Sequence, residues 1–118
     1  MRKNLLGRTG FLVSEIAFGA GVTGGILIKG DETGAVRALN RALAIGINWI
    51  DTAALYGNGA SEATIGRHIN SIRPQPYVST KVRIEREAMN DIAGAIEKSL
   101  TESLKRLDLE LEQRKRKP

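Results

Sequence analysis

The chain contains no cysteine, which excludes disulfide frameworks, thiolate metal sites and a cysteine nucleophile. Long apolar runs are missing too: no window approaches the roughly 18 apolar residues of a membrane span, and the start, M-R-K-N-L-L-G-R-T-G, has no signal-peptide core. A cytoplasmic location is expected, with no membrane partner. Histidine occurs once; His68 falls in a helical segment, faces neither strand end considered below, and reads as an ordinary surface histidine. Charge of one sign is scarce outside the C-terminus. The net charge is +5, of which Glu112–Pro118, with four basic residues and one acid, carries +3, leaving +2 for the body. A terminal R-K-R-K run is the pattern of a solvated tail rather than of a basic face, so nucleic acid is not an expected partner.

What is present is the composition of one modest domain: 118 residues, 42% of them apolar. Three short apolar segments read as strands, Glu15–Phe18, Asn48–Asp51 and Tyr77–Thr80, and their starts lie 33 and 29 residues apart, the length of a β-loop-α unit. Helical periodicity fills the gaps. The first helix follows a Thr33 cap, aligns Val36, Leu39 and Leu43, and stops at Gly46. The second takes Ser61 as its N-cap with Glu62 in its first turn, aligns Ile65, Ile69 and Ile72, and ends before Pro74 and Pro76. The third runs from about Asp91 to Leu107, with Ile92, Ile96, Leu100, Leu104 and Leu107 on one stripe and Glu102 paired to Arg106 outside it.

Alternating strands and helices predict parallel strands with right-handed crossovers. Ahead of them Arg2–Leu5 and Phe11–Val13 flank G-R-T-G as a small hairpin. The spacing predicts a fourth strand near Leu107–Leu111, but the sequence then turns to E-Q-R-K-R-K-P, whereas a strand buried on both faces stays apolar. A (β/α)8 barrel takes about 250 residues. The expected fold is therefore α/β, a partial (β/α)8 TIM barrel with an N-terminal hairpin and about three β/α units over residues 1–111, followed by a basic tail over 112–118. Its open edges are expected to take a partner chain or a second copy.

The densest chemistry lies in I-D-T-A-A-L-Y-G-N-G-A-S, Ile50–Ser61. Asp51 ends one strand, Tyr56 stands in the glycine-rich loop that follows, and Lys81 comes directly after the next strand. Sites on such sheets form where strands end, and neighbouring strands about 4.8 Å apart let these three side chains meet. Positive charge beside a phenol makes it a readier proton donor, and a carboxylate holds the ammonium in place. Such a set suits reduction of a carbonyl, which needs a proton at oxygen and positive charge where alkoxide develops.

At this point the residues match a family. The chain resembles the N-terminal part of the aldo-keto reductases through L-G-R-T-G-F-L-V-S-E (Leu6–Glu15), I-A-F-G-A-G-V-T-G-G (Ile16–Gly25), G-I-N-W-I-D-T-A-A-L-Y-G-N-G-A-S-E (Gly46–Glu62), S-T-K-V (Ser79–Val82) and S-L-K-R-L-D-L (Ser103–Leu109). The resemblance implies a TIM-barrel enzyme that reduces aldehydes and ketones with NADPH, a small-molecule carbonyl compound being the substrate. It implies Tyr56 as the catalytic acid, Lys81 as the partner that activates it, and Asp51 as support for Lys81 beside the nicotinamide ribose. Gly19, Ala20 and Gly21 stand where the family's first loop passes the nicotinamide end, with Ala20 in place of the usual threonine and Gly21 in place of the usual aromatic. The family's fourth catalytic residue, a histidine ending the fourth strand, has no counterpart before Glu112. A truncated reductase is thus one expectation, and a non-catalytic reductase-derived fragment acting as an interaction module is the other.

Gly19–Gly24 also spells G-x-G-x-x-G after a strand, with Asp51 ending the next. Its context argues against a dinucleotide-binding turn. A helix has to run directly from the third glycine, and here Gly25, Ile26, Leu27, Ile28 and Gly30 follow. Trp49, two residues before the strand-end acid, reads as a packing residue.

Overall fold

A computed structural model describes residues 1–21 and 25–110. Two antiparallel strands come first, β1 (Lys3–Leu5) and β2 (Leu12–Ser14), paired Lys3↔Ser14 and Leu5↔Leu12. Then follow β3 (Phe18–Gly19), α1 (Glu32–Ala44), β4 (Trp49–Asp51), α2 (Ala60–Ile69), β5 (Tyr77–Ser79) and α3 (Ile92–Leu107). The three later strands form one parallel sheet in the order β3-β4-β5. It is a segment of a barrel wall, with no closed barrel among the described residues.

The elements form where the pattern places them, but several ends differ. The strand expected at Glu15–Phe18 begins only at Phe18, because Ser14 turns its hydroxyl to the Ile16 carbonyl (2.6 Å) and bends the chain. Helix α1 is capped by Asp31, whose carboxylate takes the Gly34 N–H, so Thr33 is already inside it. Helix α2 starts at Ala60 from Gly59, which sits at φ 94° with no side-chain cap. Ser61 is fully buried instead, where its hydroxyl is needed elsewhere. Leu107, expected to open a fourth strand, is the last residue of α3, and Asp108 ends that helix in the left-handed region, bound by Asn70 through its carbonyl (2.9 Å) and carboxylate (2.8 Å). Leu111 and the 112–118 tail lie outside the described residues.

The core sits between the sheet and its helices: Ala20, Leu27, Ala35, Leu39, Ile50, Ile65, Ile69 and Leu107. Helices α2 and α3 meet at Gly66, where a methyl group would stand 2.0 Å from the Arg106 carbonyl oxygen. Only glycine admits that approach. The hairpin is fastened to the sheet by Asn48, whose Oδ1 accepts the Ser14 N–H (2.7 Å) while its Nδ2 donates to the Leu12 carbonyl (2.9 Å). None of the described helices is long and apolar enough to cross a membrane.

Candidate active site

The parallel register sets the site. Gly19 pairs with Asp51 and Asp51 with Ser79, so three strands end side by side. The pairing continues one step past each strand, with the Ala20 N–H donating to the Asp51 carbonyl (2.9 Å) and the Thr52 N–H to the Ser79 carbonyl (2.8 Å). Side chains alternate along an extended chain, so Ser79 and Lys81 fall on one side. Lys81 reaches back over β4.

Its ammonium touches three acceptors: Asp51 Oδ2 at 2.9 Å, the Thr52 carbonyl at 3.0 Å and Tyr56 Oη at 3.4 Å. A lysine has three N–H donors and no acceptor, so all three are engaged, and the phenol oxygen accepts from the ammonium. The hydroxyl proton of Tyr56 is thereby not engaged by Lys81, which has no acceptor to offer it. The ammonium also lies 5.0 Å from the centroid of the tyrosine ring, within cation–π range. Burial alone would raise the Asp51 carboxyl, but the hydrogen bonds from Ser79 and Lys81 and the lysine charge outweigh it, and the group is held below the ordinary aspartate value. Lys81 mirrors it: desolvation works against the ammonium, and the bonds to Asp51 and Tyr56 prevail and raise it.

Tyr56 opens a tight 3₁₀ turn over Tyr56–Gly59 in which Gly57 (φ 61°) and Asn58 (φ 53°) are both left-handed, a conformation that favours glycine and asparagine. The turn brings the ring over Gly21, where an added Cβ would lie 3.4 Å from the ring. Among the described residues Gly19 has no neighbour within 4 Å of the position of a Cβ, so none of them crowds the backbone at the end of β3. Ala20 differs from its two flanking glycines: it is 3% exposed, and its carbonyl accepts the Ser61 hydroxyl at 2.9 Å. Of the sequence candidates, Asp51, Tyr56 and Lys81 converge, Gly19 and Gly21 border them, and Ala20 turns inward.

Three supports escaped the sequence reading. Ser61 shares a hydrogen bond with Thr52 (2.9 Å) while holding Ala20, so one buried hydroxyl joins β3, β4 and α2. Glu62, without exposure, accepts from Thr80 (2.6 Å) and from Arg106 (2.7 Å). Arg106 therefore pairs with Glu62 rather than with Glu102, because the close crossing at Gly66 puts the buried carboxylate within reach. Ser79 donates to Asp51 Oδ1 (2.7 Å) and accepts from the Trp49 indole (2.9 Å). The S-T-K spacing, which puts Ser79 on the same side as Lys81, was the available signal for the last of these. His68 is half-buried and lies 2.6 Å from Glu32, which also takes a two-pronged bond from Arg67 (3.0 Å each). No group of three or more metal-ligating side chains occurs among the described residues.

The model of the Aldo/keto reductase family matches residues 15–111. This chain belongs to the aldo/keto reductase family. L-galactose dehydrogenase of Arabidopsis thaliana is 35% identical over 108 residues, 89% of this chain and 34% of that protein. The holo form of an aldo-keto reductase from Bacillus halodurans superposes with a TM-score of 0.73 at 33% identity, covering 92% of this chain and 37% of that one. An aldo-keto reductase of Bombyx mori, solved with NADP, gives 0.55 at 28%, covering 85% and 32%. The chain spans about a third of the length of the relatives it matches. Aldo/keto reductases are oxidoreductases that act on small carbonyl compounds, and the described residues here carry three parallel strands of such a fold.

Proposed function

We propose that Asp51, Tyr56 and Lys81 form the proton-donating part of an NADPH-dependent carbonyl reductase site. One observation carries this reading: Lys81 spends a donor on Tyr56 Oη, leaving the phenolic proton free for a substrate oxygen. The residues present suit the nicotinamide end of such a cofactor. Gly19 offers backbone that no other described residue crowds, Gly21 lies under the Tyr56 ring, and Asp51 presents a carboxylate at the same rim. When bound, the cofactor supplies hydride. Tyr56 then gives its proton to the carbonyl oxygen, the Lys81 ammonium stabilises the phenolate left behind, and Asp51 keeps that ammonium charged and in place. Ala20 holds the loop through its buried contacts.

Tyr56→Phe is expected to abolish NADPH-dependent reduction of an aldehyde panel while NADPH binding, followed by calorimetry, persists. Undiminished turnover in that variant would sink the assignment. Lys81→Ala is expected to weaken the binding heat as well.

A second reading, a non-catalytic interaction module formed by residues 1–111 with 112–118 as its basic tail, draws on a different observation. Among the described residues strand β5 lies at the edge of the sheet, beside an apolar groove lined by Leu6, Phe11, Tyr77, Val78, Leu100 and Leu104. Under this reading the chain associates through that edge, with itself or with a partner chain in the cytoplasm, and gives no turnover with any carbonyl compound. Light scattering separates the two, since a monomer that turns over NADPH excludes the module.

A further inference from the structure

Trp49 is the single tryptophan of the chain, and its contact with the site has a direction. An indole N–H only donates. Ser79 Oγ, 2.9 Å away, must therefore accept from it, and the one hydroxyl proton of Ser79 is left for Asp51 Oδ1 at 2.7 Å. With Asp51 ionised, no other arrangement of protons satisfies both contacts. Asp51 is thus gripped at Oδ1 by a hydroxyl that cannot turn away, while Oδ2 faces Lys81 at 2.9 Å. The chain of donors runs Trp49, Ser79, Asp51, and the ammonium closes it from the opposite side.

We propose that Ser79 is a positioning residue: through a hydroxyl whose direction Trp49 dictates, it fixes the rotation of the Asp51 carboxylate and so fixes where the Lys81 ammonium stands beside Tyr56. The proposal rests on reading Asp51 and Lys81 as the charged pair of the site. Without Ser79, the carboxylate is free to swing about its Cβ–Cγ bond, and Lys81 can follow it away from the phenol, since the remaining tie to the Thr52 carbonyl (3.0 Å) does not set the ammonium's approach to Oη. Among the described residues the charged group that faces Asp51 is Lys81, from the segment after β5. Tyr56, from the loop after β4, is linked through the same ammonium, and β3 brings only the Gly19 backbone against it.

The line of donors also makes Trp49 a reporter of Asp51, which allows a test that needs neither cofactor nor turnover. The indole N–H resonance of the full chain is followed against pH by ¹H–¹⁵N correlation spectra; with one tryptophan it needs no assignment. The wild type is expected to show an acid inflection as Asp51 takes its proton, and Lys81→Ala to move that inflection to higher pH, because the ammonium is what keeps the carboxylate ionised. Ser79→Ala is expected to lose the inflection and Ser79→Thr, which keeps the hydroxyl, to restore it. Should Ser79→Ala not fold, Asp51→Asn decides in its place by losing the inflection with the carboxyl group. A wild-type indole flat with pH, an unmoved inflection in Lys81→Ala, or one that survives in folded Ser79→Ala or in Asp51→Asn would overturn the proposal. Failure of the reductase reading appears elsewhere, as absent NADPH binding with the indole titration intact.

Discussion

Helices α2 and α3 lie against each other, yet they use their apolar residues in opposite ways. In α2 the apolar stripe is the buried face: Ile65 is 1% exposed and Ile69 is fully enclosed. In α3 the stripe expected from periodicity is only partly covered, with Ile92 at 44% and Ile96 at 40% exposure, while the small polar residues Ser99 and Ser103 face inward. Period fixes which side of a helix is apolar; it does not fix whether a neighbour is there to cover it. Helix α2 has neighbours on both flanks, α1 and α3, whereas α3 and β5 border the groove at the edge of the sheet.

The contrast can be broken at its seam. Gly66→Ala puts a methyl against the Arg106 carbonyl, and overpacking against backbone is expected to cost more than about 3 kcal/mol, read as a fall in the urea midpoint. Next comes the pair that defines the difference: Ile65→Ala should destabilise by about 3 kcal/mol through the cavity it leaves, and Ile96→Ala by under about 1 kcal/mol. Equal costs would show that the α3 face is covered in solution. Arg106→Met removes the charged partner of a fully buried carboxylate; with Thr80 still bonded to Glu62, the expected loss is that of a hydrogen bond to a charged group, about 2 kcal/mol, again from the urea midpoint. The smallest effect belongs to the far flank of α2. Hydrogen bonds from Arg67 and then His68 hold the Glu32 carboxyl at about 2, below its ordinary 4.5. A depressed acid stabilises above its unfolded value and loses that contribution as pH falls through the folded one. Glu32→Gln is therefore expected to cost a little stability above pH 4.5, with the difference from wild type fading toward pH 2; the group is solvent-exposed, so screening keeps the effect small.

Much of this architecture is legible in the sequence, because strand and helix spacing is a local property. The 33- and 29-residue spacing located the β/α units, and the strand-end positions of Asp51 and Lys81 followed from it. The contacts that fasten the site were not legible. Ser61 looks like a helix cap in one dimension, and only the packing of β3 and β4 beneath α2 gives its hydroxyl a buried carbonyl to satisfy. Glu102 looks like the partner of Arg106 because it is four residues away, yet Glu62, forty-four away, is reached across the glycine seam. Ser79 and Trp49 were obscured for a similar reason: their link crosses two strands whose register is a tertiary fact.

Asn48 joins the hairpin to the sheet with one side chain that both accepts and donates, and its own N–H returns the favour to the Ser14 hydroxyl at 3.1 Å. In hydrogen-exchange terms residues 3–14 and the entrance to β4 are expected to open as one unit: the Ser14 amide is held by Asn48, so its protection factor should follow the sheet rather than the short two-stranded ribbon to which it belongs.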